Sequence, residues 1–175
     1  MPLDHLAIDK ITEADLQALI DNGVAEGRDI ELKAQSWGNA DRDKHEFLAD
    51  VSAFANTVGG HIVVGMQEKN GVAHALAGLS INPDQESLRL EQLSRDGLRP
   101  RIGGLQIAAV KLANGTHALV LRIPRSWNPP HRVVAQGSNR FYARAGAGRY
   151  EPDVDQLREL FAVAPTLAER IRDFR

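Results

Sequence analysis

The chain has no cysteine, only two methionines, and aromatic residues make up just 5% of it. Without thiols there is no disulfide, no thiolate metal site and no cysteine nucleophile. Long apolar runs are missing too, since no stretch approaches the roughly 18 residues needed to cross a bilayer. The opening residues, MPLDHLAIDK, are acidic and lack a long apolar core, so they do not read as a signal peptide. These absences predict a soluble, cytoplasmic protein with no membrane partner. A further absence is local: residues 97–150 contain no aspartate or glutamate.

Several familiar sites are absent as well. No G-x-x-x-x-G-K-[ST] run supports a P-loop. The six histidines are scattered with no i, i+4 pair, which removes a zinc site of the H-E-x-x-H type. There is no G-x-S-x-G elbow, and the glycines of GVAEGRD and RAGAGR do not match a dinucleotide fingerprint.

What is present suits one globular domain. The 175 residues are 43% hydrophobic and 25% charged, with a net charge of −2, close to ordinary globular composition. The charge is unevenly spread. The carboxylate-free block holds nine basic residues: Arg99, Arg101, Lys111, Arg122, Arg125, Arg132, Arg140, Arg144 and Arg149. Such a block predicts a local positive field on an otherwise acidic protein. Eight of the nine are arginine, whose planar fork grips phosphate in a bidentate way that lysine cannot.

Periodicity predicts a helix over 12–23, with Thr12 as N-cap, Leu16, Leu19 and Ile20 on one face and Gly23 as the stop. A short strand, DIELKA, follows. A polar loop, QSWGNADRD, then leads to a helix in KHEFLADVSAFANTVGG, where Phe47, Val51 and Phe54 recur at core spacing. Asn56 and Thr57 shape its C-terminus. HIVVGM reads as a central strand buried on both faces, and EKNG as a turn into a returning strand. A helix begins near Pro83. The runs LQIAAVKL and HALVLRIP, joined by ANGT, predict a β-hairpin. RSWNPPHR is a proline-bound loop that either offers Trp127 and His131 to a groove or is merely stiffened by its prolines. RFYARAG reads as one last strand, with Phe141 and Ala143 on one face and Tyr142 and Arg144 on the other. The tail predicts one or two short helices with no stop signal before Phe174 and Arg175, as expected of a fragment of a longer polypeptide. The expected class is α+β: a mixed, largely antiparallel sheet with a β-hairpin and flanking helices.

Two constellations carry chemistry. In EGRDIELK, strand alternation puts Glu31 and Lys33 on one face and Ile30 and Leu32 on the other, with Glu26 just upstream. By spacing alone this face is either a solvated ion pair or one wall of a metal nuclease. In a nuclease, carboxylates hold magnesium or manganese and a lysine offsets transition-state charge. Glu26, Glu31 and Glu68 would be the ligands and Lys33 the stabiliser. The second constellation is nucleic-acid binding by Arg122, Arg125, Arg132, Arg140, Arg144 and Arg149, with Tyr142 as a stacking face. Its alternative is that the arginines pair with acidic helices.

In order along the chain, EGRDIELK, HEFLADVSAFANTVGGHIVVGM, PRSWNPPH and RFYARAG resemble the Schlafen AlbA-type domain. The resemblance implies a single domain over 1–175 with its core at about 12–163 and a C-terminal helix, 152–175, leading into a downstream region. It further implies a DNA- or RNA-binding role, since bacterial members are described as DNA-binding domains at the front of transcriptional regulators or ATP-binding proteins. No motif here supports the ATP label. Vertebrate Schlafen proteins use such a domain as a divalent-metal endonuclease on tRNA and rRNA. The resemblance carries that role to Glu26, Glu31 and Lys33, with Glu68 standing where the family has an aspartate. Those enzymes grip RNA between two lobes of one chain, so a single lobe would need a homodimer to form a comparable groove.

Overall fold

The structure, a computed structural model, describes residues 3–146 and 148–173, with 164–173 as helical backbone only. Its centre is a four-stranded sheet in the order β1-β2-β7-β6, built from β1 (Ile30–Lys33), β2 (Gly60–Val64), β6 (Gln106–Lys111) and β7 (His117–Ile123). β1 and β2 run parallel; β2–β7 and β7–β6 are antiparallel. Short two- and three-stranded sheets join β3 (Met66–Lys69) to β4 (Val72–Leu76), β5 (Leu98–Arg99) to β8 (Arg132–Val133) and β9 (Arg140–Phe141), and β10 (Ala143–Ala145) to β11 (Gly148–Tyr150). With four α-helices among the described residues, the class is α+β, as the sequence predicts.

β2 is buried at every position, which is why HIVV carries no polar alternation. One face of the sheet packs on α2 (Asp41–Ala55) through Phe47, Val51 and Phe54, all fully buried with Ile62, Val64 and Leu121. The other face packs on α1 (Glu13–Asp21) through Leu16 and Leu19 against Ile30, Leu32 and Val63. Each buried phenylalanine is worth about 3–5 kcal/mol against alanine.

Local chemistry explains the boundaries. Thr12 and Asp15 cap α1 reciprocally, side chain to backbone in both directions. Asn82 caps α3 (Pro83–Gly97) by accepting from the Gln85 N–H at 3.1 Å. The two Asn-Gly hairpin turns differ. At β3–β4 both Asn70 and Gly71 lie in the left-handed region, the two-residue turn that matches strand twist. At β6–β7 only Gly115 does, and Leu112 N–H donates to Thr116 O at 2.9 Å around a three-residue loop.

Two expectations need correction. α2 begins at Asp41, inside the stretch read as a loop, because Asp41 and Asp43 occupy its first turn, where acids favour the helix dipole. RFYARAG is not one strand: it breaks at Tyr142 into β9 and β10, which belong to different sheets. Tyr142, Ala143 and Arg144 are all buried, so the alternation fails there. The tail is a single helix, α4 (Val154–Asp173), started by a reciprocal bond pair between Asp153 and Gln156; Phe174 and Arg175 lie outside the described residues.

Candidate functional site

β1 sits at the edge of the central sheet, so its outward backbone groups need partners. Side chains supply them. The Leu32 N–H donates to Glu26 Oε1 at 2.9 Å, and Ile30 O accepts from Arg144 Nη2 at 3.2 Å. Glu26 can fold back this way because its own N–H donates to Gly71 O at 2.7 Å, tying it to the β3–β4 turn. The five-residue step from Glu26 to Glu31 therefore has a structural cause: the first glutamate closes the edge of the strand that carries the second.

Arg144 reaches from β10 across this edge. Its Nε donates to Gly27 O at 2.8 Å, its Nη2 also bonds the Glu31 carboxylate, and its guanidinium stacks 4.4 Å from the Phe54 ring centre. It is 3% exposed. Lys33, one position past Leu32 on the same polar face as Glu31, places Nζ 3.1 Å from Asp50 and 3.8 Å from Glu31. From β11, Arg149 donates to Asp50 Oδ1 at 2.5 Å and Glu46 Oε2 at 2.9 Å.

These residues line a cavity of about 470 Å³ holding four carboxylates (Glu26, Glu31, Glu46, Asp50) and three cations (Lys33, Arg144, Arg149). Burial raises the pKa of Glu26, the Leu32 N–H opposes it, and the charges of Glu31 and Glu68 raise it further. Burial also raises that of Asp50, against the pull of Lys33 and Arg149. At Glu46 burial pushes upward, but the Arg149 hydrogen bond and charge prevail and lower it.

The cavity thus brings Glu26, Glu31 and Lys33 together with Arg144 and Arg149, and adds Glu46 and Asp50, which sequence reasoning missed. Their signal was present: acids at i and i+4 on α2, with Asp50 set among the apolar positions 47, 51 and 54. Glu68 does not line it. Its carboxylate accepts from the Gly71 N–H at the tip of the β3–β4 turn, near enough to act on Glu26 through charge alone. A divalent cation does not fit these donors. Glu31 and Asp50 are each held by two cationic side chains and Glu26 by a backbone N–H. Among the described residues no group of three or more histidine, aspartate or glutamate side chains is arranged to hold a metal.

The remaining arginines disperse. Arg140 pairs with Glu151 at 2.8 Å. Arg122 donates to His61 Nε2 and to the carbonyls of Leu3 and Leu6, fastening the N-terminal segment. Arg125 is exposed and Arg132 half-buried. Tyr142 is buried with its hydroxyl 2.7 Å from His45 Nε2, so it offers no stacking face. His131 is buried rather than groove-lining, whereas Trp127 is 71% exposed. Asn56 explains how this region is held: its amide donates to His131 O and Tyr142 O and accepts from the His131 N–H at 2.6 Å.

Fold and site together define an α+β domain with a charge-dense cavity against an edge strand and an arginine-bearing surface beyond it. The chain belongs to the Schlafen, AlbA_2 family, whose model matches residues 26–153. No curated protein matches it. Among solved structures it is similar to the N-terminal domain of a putative ATP-dependent DNA helicase RecG-related protein from Nitrosomonas europaea. The two share 22% identity at a TM-score of 0.55, over 79% of this chain and 93% of that one. It is also similar to the DIP2311 protein from Corynebacterium diphtheriae, with 16% identity and a TM-score of 0.52. There the match covers 84% of this chain but only 28% of that longer protein. Among the described residues no helix is long and apolar enough to cross a membrane.

Proposed function

We propose that the domain binds nucleic acid, holding the phosphate backbone with arginine and reading little base sequence. One observation carries this: Arg99, Arg101, Arg125 and Arg132 make no ion pair among the described residues. Arg99 and Arg132 are directly opposed across β5–β8, an arrangement that like charges disfavour; Arg99 donates only to the Arg95 and Leu98 carbonyls, which leaves its charge for an anion. His131 Nδ1 lies 2.8 Å from Pro100 O, keeping segments 98–101 and 131–133 side by side. The similarity to part of a DNA helicase-related protein, and the family itself, are consistent with this reading. In a longer protein such as a transcriptional regulator, the domain would be the part that grips the nucleic acid. A salt titration tests it. Binding to DNA or RNA falls steeply as salt rises, and Arg99→Ala or Arg132→Ala each lowers the log–log slope by about one. Salt-independent binding, or none at low salt, refutes it.

A second reading, cleavage of folded RNA with magnesium or manganese, has one observation in its favour: Glu26, Glu31 and Lys33 share a cavity. The donors present do not fit the ion, and Glu68 stands outside the lining. Assay of tRNA cleavage with manganese, against Glu31→Ala, decides it; equal activity in both proteins assigns the cleavage to a contaminant.

A further inference from the structure

Beyond the arginine surface, a cleft of about 560 Å³ opens on the side of the sheet where β7 ends. It is lined by Arg101, Arg122, Arg125 and Trp127, with Asp4 its one carboxylate among the described residues. Gly104 and Arg101 continue it into an adjoining hollow of about 270 Å³ that also holds Arg95 and Glu91. It shares no residue with the carboxylate cavity.

The position of Trp127 is fixed from below. Ser126 N–H donates to Ala55 O at the end of α2 at 2.9 Å, and Asn128 N–H donates to Ser126 Oγ at 3.0 Å. Gly59, at φ +74°, makes this contact with α2 feasible: a Cβ there would lie 2.5 Å from the Arg125 nitrogen and 2.7 Å from Ile123 O. The indole is nonetheless 71% exposed, the most exposed of the large apolar side chains described. A hydrogen-bonded backbone presenting a bare indole in the same cleft as Arg101 and Arg125, neither of them ion-paired among the described residues, is the combination that single-stranded nucleic acid uses: a stacking platform with phosphate-binding cations beside it. A duplex keeps its bases stacked inside and gives the indole nothing to take.

We infer that the Trp127 cleft is a single-strand site, in which an unpaired base stacks on Trp127 while Arg101 and Arg125 hold the flanking phosphates. This rests on the nucleic-acid reading above and deepens it by naming the strandedness and the site.

The test uses the full chain with an oligoadenylate of about 12 nucleotides, a duplex of the same length, and polyglutamate as a polyanion that cannot stack. Trp37 is buried and Trp127 exposed, so quenching of indole emission on binding reports on Trp127. The oligoadenylate quenches the emission, and Trp127→Ala weakens its binding about 5- to 150-fold. Trp127→Phe retains part of the affinity, while duplex binding changes less than about two-fold in either variant. Arg101→Ala with Arg125→Ala weakens oligoadenylate binding and raises its salt tolerance. Unquenched binding, a Trp127→Ala variant that binds oligoadenylate as well as the parent, or polyglutamate binding equally well overturns the single-strand site. In those cases salt-sensitive duplex binding would leave the broader reading standing. Absence of any nucleic-acid binding at low salt overturns both.

Discussion

Lys33 Nζ lies 3.1 Å from the Asp50 carboxylate, joining the edge strand β1 to helix α2 across the floor of the cavity. Arg149 closes the same carboxylate from the other side, and the Trp37 indole N–H donates to it at 3.3 Å. Asp50 is 3% exposed, so removing it leaves two cations without their shared counter-charge.

Asp50→Ala is therefore expected to cost about 3–5 kcal/mol, the penalty for breaking a buried pair from one side. Arg144→Ala should cost a similar amount, since it takes the nearer of two cations from Glu31, strands the Gly27 carbonyl, leaves Ile30 O with the Gly27 N–H alone and uncovers Phe54. Arg125→Ala, exposed and unpaired among the described residues, should fall within about 0.5 kcal/mol of the parent. Urea midpoints of the three variants check the ordering. An Arg144 variant as stable as Arg125→Ala would mean that the cavity network does not hold the fold.

Asn56 connects α2 to two distant segments through three backbone bonds. Asn56→Ala is expected to lose on the order of 3 kcal/mol, because it orphans the His131 N–H and the His131 and Tyr142 carbonyls in a buried place. It should also loosen the loop beneath Trp127. Hydrogen exchange at the His131 amide would report this; unchanged protection there would contradict it.

His61 is fully buried, and burial together with neighbouring Arg122 pulls its pKa down to about 4. The neutral ring accepts from Arg122 Nε on Nε2, so its proton sits on Nδ1. A depressed folded-state value means its contribution is fully present above about 6.5 and disappears as pH falls to about 4. That loss is on the order of 3 kcal/mol. His61→Gln should flatten the pH dependence of the urea midpoint over this window; an unchanged slope would show that His61 titrates normally in the fold.

Burial moves Glu26 the opposite way. Its raised pKa means that stability is lost as pH rises through the folded-state value, not as it falls. Glu26→Gln, which can still accept the Leu32 N–H, should raise the midpoint at pH 7 and leave it unchanged well below the carboxylate range. A midpoint lowered at pH 7 and unchanged at the low pH would mean that the charge itself is needed.

Much of this protein is legible in its residues. The capped helix after Thr12, the apolar HIVV strand, the 47/51/54 helix face and the Asn-Gly hairpin follow from periodicity and turn chemistry, which act over a few residues and appear directly in the chain. The polar face of β1 was also readable, because alternation alone separates Glu31 and Lys33 from Ile30 and Leu32. What became of those charges was not. Whether an arginine is free or committed depends on segments about a hundred positions away: Arg144 meets Gly27, Ile30 and Glu31, and Arg149 meets Glu46 and Asp50. One carboxylate-free block therefore divides into buried network members and a bare surface. Tyr142 and Arg144 fail as an exposed face for the same reason: their strand is broken and pressed onto α2, so burial overrides alternation. Local patterning determined the elements and the family of this chain; only the tertiary contacts decided which of its charges are left for a partner.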